Sequence, residues 1–263
     1  MQPAEGIILV DKPVGITSFD VIRRLRYEVK SPTCRAWLLR AVQGASEACE
    51  KVVSPITMQE RTSEATQKCA KSKVRMGHAG TLDPLASGLM LIGVGAGTKQ
   101  LTQYVRLDKE YVAEIRIGEQ RTTGDLAGEI VASVDVFELA RTDVDRALQS
   151  LVGELSLPVS AFSAIKKDGV PMYKRAHAAA RKGETVPDIP ERAMKVYEAE
   201  LLSLDIIDDI KKGVATVRFS VGSGTYVRSL AEELGRRLGY PATLQALRRT
   251  KVGEFRVEDA ESV

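Results

Sequence analysis

The chain has few of the residues that build covalent or metal-held frameworks. Its 263 residues include only three cysteines and two histidines. Cys34, Cys49 and Cys69 lie 15 and 20 residues apart, with no C-x-x-C pair and no histidine among them. An odd number of cysteines does not close a disulfide framework, and this spacing does not match that of zinc ligands. The sequence therefore predicts free thiols in a reducing compartment and no metal site.

Long apolar runs and a strong net charge are also missing. No run approaches the roughly 18 apolar residues that signal a membrane span. The first strand-like run, residues 6–10, begins too close to the N-terminus for a signal or transit peptide to precede it. The net charge of +3 does not by itself indicate a nucleic-acid binder. These absences predict a soluble protein of the cytoplasm, with a monomer as the simplest state.

Strand-like and helix-like segments alternate along the chain. Ser18 is expected to cap the first helix, and Tyr111 begins a run with the period of two that is typical of a half-buried strand. This mixture predicts an α+β class with a mixed central sheet in a single domain, 1–263. The predicted strands cover residues 7–10, 89–94, 111–117, 195–204 and 213–221, and the predicted helices cover 18–30, 144–151 and 230–238. The segment 247–257 ends in a strand-like run.

Residues 31–73 differ from the rest and are interpreted as an insertion. An amphipathic helix is expected around Trp37, followed by a polar, flexible arm. The segment carries seven basic and four acidic residues, and this excess equals the whole net charge. Two interpretations stay open: an additional RNA-contacting arm, or a solvated surface insertion without a role.

The most informative stretch for chemistry is GHAGTLDPLASGL, residues 77–89. Three glycines and a proline impose a specific backbone path, and the loop offers one histidine, His78, and one carboxylate, Asp83. A loop carboxylate is a candidate nucleophile or general base. From composition alone, Asp83 before Pro84 is more typical of a helix cap than of a catalytic carboxylate, and His78 is more typical of a structural residue than of a catalytic one.

This stretch resembles the nucleophile motif of the TruB family of pseudouridine synthases, G-H-x-G-x-L-D-P-x-A-x-G-x-L. Further motifs of that family occur in the same order, and together the resemblance extends over residues 6–30 and 74–259. They are LVDKPVGITSF at residues 9–19, KEY at 109–111, SAIK at 163–166, GSGTYVRSL at 222–230 and LRRT at 247–250. The resemblance implies the pseudouridine synthase fold, a mostly antiparallel central sheet flanked by helices and loops.

The resemblance also implies a function without cofactor or metal: isomerisation of the T-loop uridine (position 55) of tRNA. Asp83 would be the nucleophile, and Arg228 would keep its carboxylate ionised. Tyr111 would stack on the uracil and help to move the C5 proton.

The target uridine has to be flipped out of a folded RNA loop into a pocket. The resemblance implies that His78 occupies the space that the flipped base leaves. Lys12 and Lys166 match positions near the active site. Phosphate contact, strand-end solvation and support of the pocket floor stay open for them, and a supporting role is favoured over direct chemistry. Leu247 would pack in the pocket, and a plain core leucine is an equal interpretation.

Two features bear on RNA selection. Many bacterial members of the family carry a C-terminal PUA domain, but only 14 residues follow Arg249, so no PUA domain is expected. Residues 157–190 match a mobile segment that clamps the RNA loop in the family, and a solvated helix face is the competing account. The segment holds basic residues together with Tyr173: Lys166, Lys167, Lys174, Arg175, Arg181 and Lys182.

Three alternatives compete with a pseudouridine synthase that acts on tRNA without a guide RNA. GVGAGTKQ at residues 93–100 fails the P-loop pattern at its sixth and last positions, which excludes a nucleotide-binding enzyme on this motif. A non-catalytic RNA chaperone or scaffold with a synthase fold is the main alternative, and the intact Asp83, Tyr111 and Arg228 argue against it. A guide-RNA-dependent enzyme is disfavoured because that type requires a PUA domain.

Overall fold

The computed structural model describes residues 6–28, 75–163, 165–182, 184 and 189–263. The predicted insertion, with the three cysteines and Trp37, lies outside these residues, so both interpretations of it stay predictions. The chain divides into two compact units, the first formed by Met1–Leu107 with Arg249–Val263 and the second by Asp108–Arg248. One catalytic domain over the whole chain stays a prediction.

The regular elements of the described residues are numbered in chain order. The strands are β1 (Ile7–Lys12), β2 (Met76–Ala79), β3 (Ala86–Val94), β4 (Lys109–Ile117), β5 (Glu119–Arg121), β6 (Ile130–Ser133), β7 (Gly153–Pro158), β8 (Lys166–Lys167), β9 (Val170–Pro171), β10 (Glu191–Ile207), β11 (Lys212–Val221), β12 (Ala242–Val252), β13 (Phe255–Arg256) and β14 (Glu261–Ser262). The α-helices are α1 (Ser18–Glu28), α2 (Leu101–Val105), α3 (Arg141–Leu151), α4 (Met172–Ala180) and α5 (Val227–Leu238), and short 3₁₀ helices cover Gly95–Gln100 and Val257–Asp259.

The sheet of the first unit is centred on β3. Strand β1 pairs with it antiparallel, from Ile7 opposite Gly93 to Lys12 opposite Gly88, and β14 adds to β1 in parallel. On the other side of β3, β2 pairs with residues 91–94, and β12 is the neighbour in strand order. The loop that leaves β2 therefore starts on the side of β3 that β12 also occupies.

Apolar side chains of these strands form the core of the first unit. The rings of Tyr104 and Phe255 meet edge-on, with centroids 5.8 Å apart. The core consists of Ile7, Leu9, Ala79, Leu89, Leu91, Tyr104, Val252, Phe255 and Val257. It anchors both strands that carry the loop of Asp83, because Ala79 ends β2 and Leu89 and Leu91 belong to β3.

The second unit contains an antiparallel sheet with the strand order β4–β11–β10–β7. Strand β4 alternates between buried and half-buried residues along its length, as its sequence predicts. Helix α3 packs against β10 and against α5. The predicted α+β class with a mixed sheet is confirmed, as are the predicted strands at residues 89–94, 111–117, 195–204 and 213–221. Among the described residues, no helix has the length and apolar character needed to cross a membrane.

The cap of α1 differs from the prediction. The capping box is formed by Thr17 and Asp20: the Asp20 amide donates to Thr17 Oγ1 (3.1 Å), and the Thr17 amide donates to Asp20 Oδ2 (3.0 Å). The prediction that Ser18 caps the helix was wrong. Ser18 is buried and its hydroxyl is used elsewhere.

Candidate active site

Asp83 lies in the loop of residues 80–85, between β2 and β3. Its backbone carbonyl accepts a hydrogen bond from the Ala86 amide (3.0 Å), which closes a tight turn over Pro84 and Leu85. Strand β3 starts at Ala86, so no helix follows and the interpretation of Asp83 as a helix cap was wrong. The Asp83 residue is half-buried. The glycines and the proline of the motif therefore build a turn that presents a carboxylate at the start of a core strand.

The N-terminal turn holds this loop in place. Ser18 Oγ accepts a hydrogen bond from the Leu82 amide (2.8 Å) and donates one to the Leu82 carbonyl (3.0 Å). The Gly15 amide donates to the Pro84 carbonyl (2.8 Å). Residues on both sides of Asp83 are thus tied to the segment that carries the D-K-P-x-G-x-T-S motif. This arrangement gives the two motifs a common physical purpose, which is to fix the position of the carboxylate.

Lys12 is a buried cation in this cluster. It has no solvent exposure, and its Nζ donates to the carbonyls of Pro13 (2.9 Å) and Ile16 (2.8 Å). Burial lowers the pKa of Lys12 to about 8. The charges of Asp83 and Asp20 raise this pKa, and the charge of Arg249 lowers it further, but burial is the largest effect. The ammonium therefore organises the N-terminal turn and lies within electrostatic range of Asp83.

We expect the stability of the protein to depend on the titration of Lys12. The pKa of this amine is lower in the folded state than its ordinary value of 10.5, so unfolding takes up a proton between about pH 8 and 10.5. Stability should rise with pH in that window. Relative to Lys12→Met, the wild type should gain roughly 2 kcal/mol of unfolding free energy between pH 8 and pH 9.5. Urea unfolding across this range measures the difference, with exposed Lys99→Met as the control. A constant difference would contradict the prediction.

His78 lies on β2 at the base of the same loop. Burial, and then the Arg249 charge, lower the pKa of this imidazole, while a backbone hydrogen bond to Gly80 partly opposes them. The ring is therefore neutral at physiological pH. Its buried Nδ1 has no hydrogen-bond partner among the described residues. A neutral imidazole can donate one hydrogen bond and accept one, so this nitrogen keeps an unused hydrogen-bonding capacity inside the site.

Arg228 is a buried cation of the second unit. It is the second residue of α5, with 6% of its surface exposed. Its Nη1 donates to the Thr123 carbonyl (3.0 Å) and to Ser160 Oγ (2.7 Å), and the same atom lies 3.7 Å from Asp125 Oδ2. These contacts fix the plane of the guanidinium group before any substrate binds.

We expect Asp125→Asn to destabilise the protein by about 3 kcal/mol. The Asp125 carboxylate also accepts from Thr123 Oγ1 (2.6 Å) and from the Ala127 amide (3.1 Å), so an asparagine has to keep its oxygen there. Its NH₂ group would then face Arg228, and the buried guanidinium would lose one of its carboxylate partners. Urea unfolding measures the loss.

The control for this prediction is Asp143→Asn in an exposed ion pair. Asp143 Oδ1 lies 3.1 Å from Arg146 Nη1, a shorter distance than in the buried pair, but both side chains are more than half exposed. We expect a change below about 0.5 kcal/mol there. Equal losses in the two variants would show that burial does not matter.

The other predicted residues also belong to the second unit. Tyr111 is buried on β4, opposite Phe219 of β11, and Leu247 is buried on β12. Lys166 is exposed on β8, in a two-residue hairpin with β9 that leads into α4. Tyr173 on that helix is 40% exposed. The structure therefore groups Lys12, His78 and Asp83 in the first unit, and Tyr111, Lys166, Arg228 and Leu247 in the second.

The sequence pattern of TruB family pseudouridylate synthases (N-terminal domain) matches residues 67–227. The chain belongs to this family. It is therefore a pseudouridine-forming isomerase, as its motifs predict. A relative from Corynebacterium efficiens, tRNA pseudouridine synthase B, is 38% identical over 97% of this chain and 69% of its own length. The protein of the same name from Phocaeicola vulgatus is 34% identical over the full chain and 92% of its own length.

Solved structures agree on the fold. A chain from a Cbf5–Nop10–Gar1 complex superposes with a TM-score of 0.60 at 21% identity, over 98% of this chain and 52% of that one. A chain from an H/ACA RNP bound to a substrate RNA containing 2′-deoxyuridine gives a TM-score of 0.58 at 20% identity and is covered to 50%. The chain thus spans about half of each of these proteins.

Several residues that hold the predicted site residues in place, each within its own unit, were missed in the sequence. The roles of Ser18, Asp125 and Ser160 rest on contacts across 64, 103 and 68 residues of chain, which no local pattern records. Arg249 was noted only as part of the L-R-R element. In the described part of the chain, no group of three or more His, Cys, Asp or Glu residues is placed to hold a metal ion.

Proposed function

We propose that this chain converts the T-loop uridine of tRNA to pseudouridine, with Asp83 as the nucleophile. The observation that carries the proposal is the way Asp83 is held: Ser18 binds both backbone groups of Leu82, and Gly15 binds the carbonyl of Pro84. A carboxylate fixed on both sides is preorganised for attack. The choice of tRNA is supported by the relatives named tRNA pseudouridine synthase B, at 38% and 34% identity.

The reaction exchanges one bond to the ribose for another. The bond between uracil N1 and ribose C1′ breaks, the base turns, and a bond between C5 and C1′ forms. The C5 proton is lost and N1 gains a proton, so atoms balance without a redox step. The Asp83 carboxylate attacks the ribose or the base and is released again at the end. It has to be ionised to do this, and Arg228 is proposed to pair with it.

Tyr111 and His78 are proposed to act on the base. The flat ring of Tyr111 offers a stacking surface, and its hydroxyl offers a route for the C5 proton. His78 is proposed to fill the space of the flipped base, and its neutral ring can pack there without burying a charge. Lys12 supports the pocket, Leu247 packs in it, and Lys166 with the segment of residues 157–190 contacts the RNA loop. This chemistry needs no cofactor or metal.

The test is pseudouridine formation in an unmodified tRNA transcript, beside a matched transcript that carries cytidine at the T-loop position. We expect stoichiometric product in the first and none in the second, with similar binding of both. Binding of both without product in either would favour the scaffold alternative. Product in the cytidine transcript would place the reaction at a different uridine.

A further inference from the structure

Arg249 is the largest of the fully buried side chains in the described residues, with 1% of its surface exposed. Its Nε donates to the carbonyl of Leu89 (2.7 Å) and its Nη2 donates to the carbonyl of Gly80 (3.2 Å). A buried guanidinium is costly unless its donors are satisfied. These two carbonyls are therefore specific partners, and their places in the chain matter.

The two carbonyls flank the loop that carries Asp83. Gly80 is the first residue after β2, and Leu89 lies in β3, just after the loop has ended. Strands β2 and β12 both lie on the same side of β3. The loop of Asp83 begins where β2 ends, and from there β12 is the strand next to β3. One planar group thus connects the start of the loop to the strand that follows it, with Asp83 between the two attachments.

The backbone places Arg249 there by a close approach to Gly88. Lys12 pairs with Gly88 across β1 and β3. On the β12 side, a Cβ added to Gly88 would stand only 2.2 Å from the carbonyl oxygen of Arg249. Lys12, Gly88 and Arg249 therefore form a row across the sheet. The charge of Arg249 lowers the pKa of Lys12 and of His78, as expected for neighbours in one buried cluster.

We infer that Arg249 is a positioning residue that fixes the loop of Asp83 by connecting the first residue of the loop to the strand that follows it. The inference rests on the proposed function in one respect, the role of Asp83 as nucleophile. Arg249 bonds backbone carbonyls, so it sets the place of the loop and leaves the affinity for RNA to other residues. Its loss should lower kcat and leave KM unchanged.

The experiment compares Arg249→Lys with Arg26→Lys. A lysine keeps the charge but cannot span two carbonyls in the plane of a guanidinium. We expect kcat of Arg249→Lys to fall by roughly 10- to 100-fold, the scale of an ångström-sized misplacement, with KM within about twofold of wild type. Arg26 is the matched control: it is exposed, and its Nη2 reaches the carbonyl of Met76 at the far end of β2 (3.4 Å). Arg26→Lys should keep wild-type kcat.

A second readout does not depend on the chemistry. Amide hydrogen exchange of the peptide covering residues 80–89 should speed up by at least about tenfold in Arg249→Lys and stay unchanged in Arg26→Lys. If exchange is faster in Arg249→Lys but Asp83→Asn is still active, the positioning role of Arg249 stands and only the role of Asp83 as nucleophile is overturned. Wild-type kcat and wild-type exchange in Arg249→Lys would overturn the inference.

Discussion

Asp83→Asn is expected to abolish pseudouridine formation, with a loss in kcat on the order of 10⁴-fold or more. Asparagine has nearly the shape of aspartate but is a poor nucleophile, because its amide nitrogen lone pair is delocalised and it carries no charge. The hydrogen bonds that hold the loop belong to the backbone of Leu82, Pro84 and Ala86 and should survive the change. Single-turnover assays on an unmodified tRNA transcript would measure the loss.

The same variant should bind RNA as well as wild type does. Asp143→Asn, on the exposed face of α3, is the control for removal of one negative charge and should be fully active. If Asp83→Asn kept more than about a tenth of the wild-type rate, a covalent role for this carboxylate would be wrong. If it lost RNA binding as well, the loop would be a binding element first.

Gly88→Ala is expected to cause the largest loss of stability, about 3 to 5 kcal/mol. Gly88 has a φ of 106°, and an added Cβ would stand 2.2 Å from the carbonyl oxygen and 2.7 Å from the amide nitrogen of Arg249. These are backbone atoms of a neighbouring strand, so they cannot turn away as a side chain can. Either β3 and β12 separate or the variant does not fold.

Gly95→Ala is the matched control at the other end of β3. Gly95 also has a positive φ, 57°, but nothing lies within 4 Å of an added Cβ. The backbone strain alone should cost about 1 kcal/mol. Urea unfolding of both variants separates strain from collision. Equal losses would show that the close approach of the two strands is not required.

Local patterns predicted much of the fold. The alternation over residues 111–117 and the apolar run 89–94 predicted β4 and the core of β3, because side-chain period and burial are linked in a strand. The predicted helix at 144–151 lies within α3, which starts three residues earlier. The predicted helix cap was wrong by one residue. Thr17 and Ser18 are both suitable caps, and because Leu82 takes up the hydroxyl of Ser18, Thr17 caps the helix.

The motifs around Asp83 could also be identified in the sequence, but the way in which they hold the carboxylate could not. Composition allowed Asp83 to be a helix cap, and the structure excludes this because β3 starts three residues later. The pairing of Asp83 with Arg228 stays a prediction.

By itself, the sequence determined the family, the strands and the candidate nucleophile, because these depend on residue order and periodicity along a short stretch of chain. Only the tertiary structure decided what holds the nucleophile loop. Ser18 is 64 residues from Leu82, and Arg249 is 169 residues from Gly80. Such contacts exist only after β1, β3 and β12 have paired, and burial then makes each hydrogen bond obligatory.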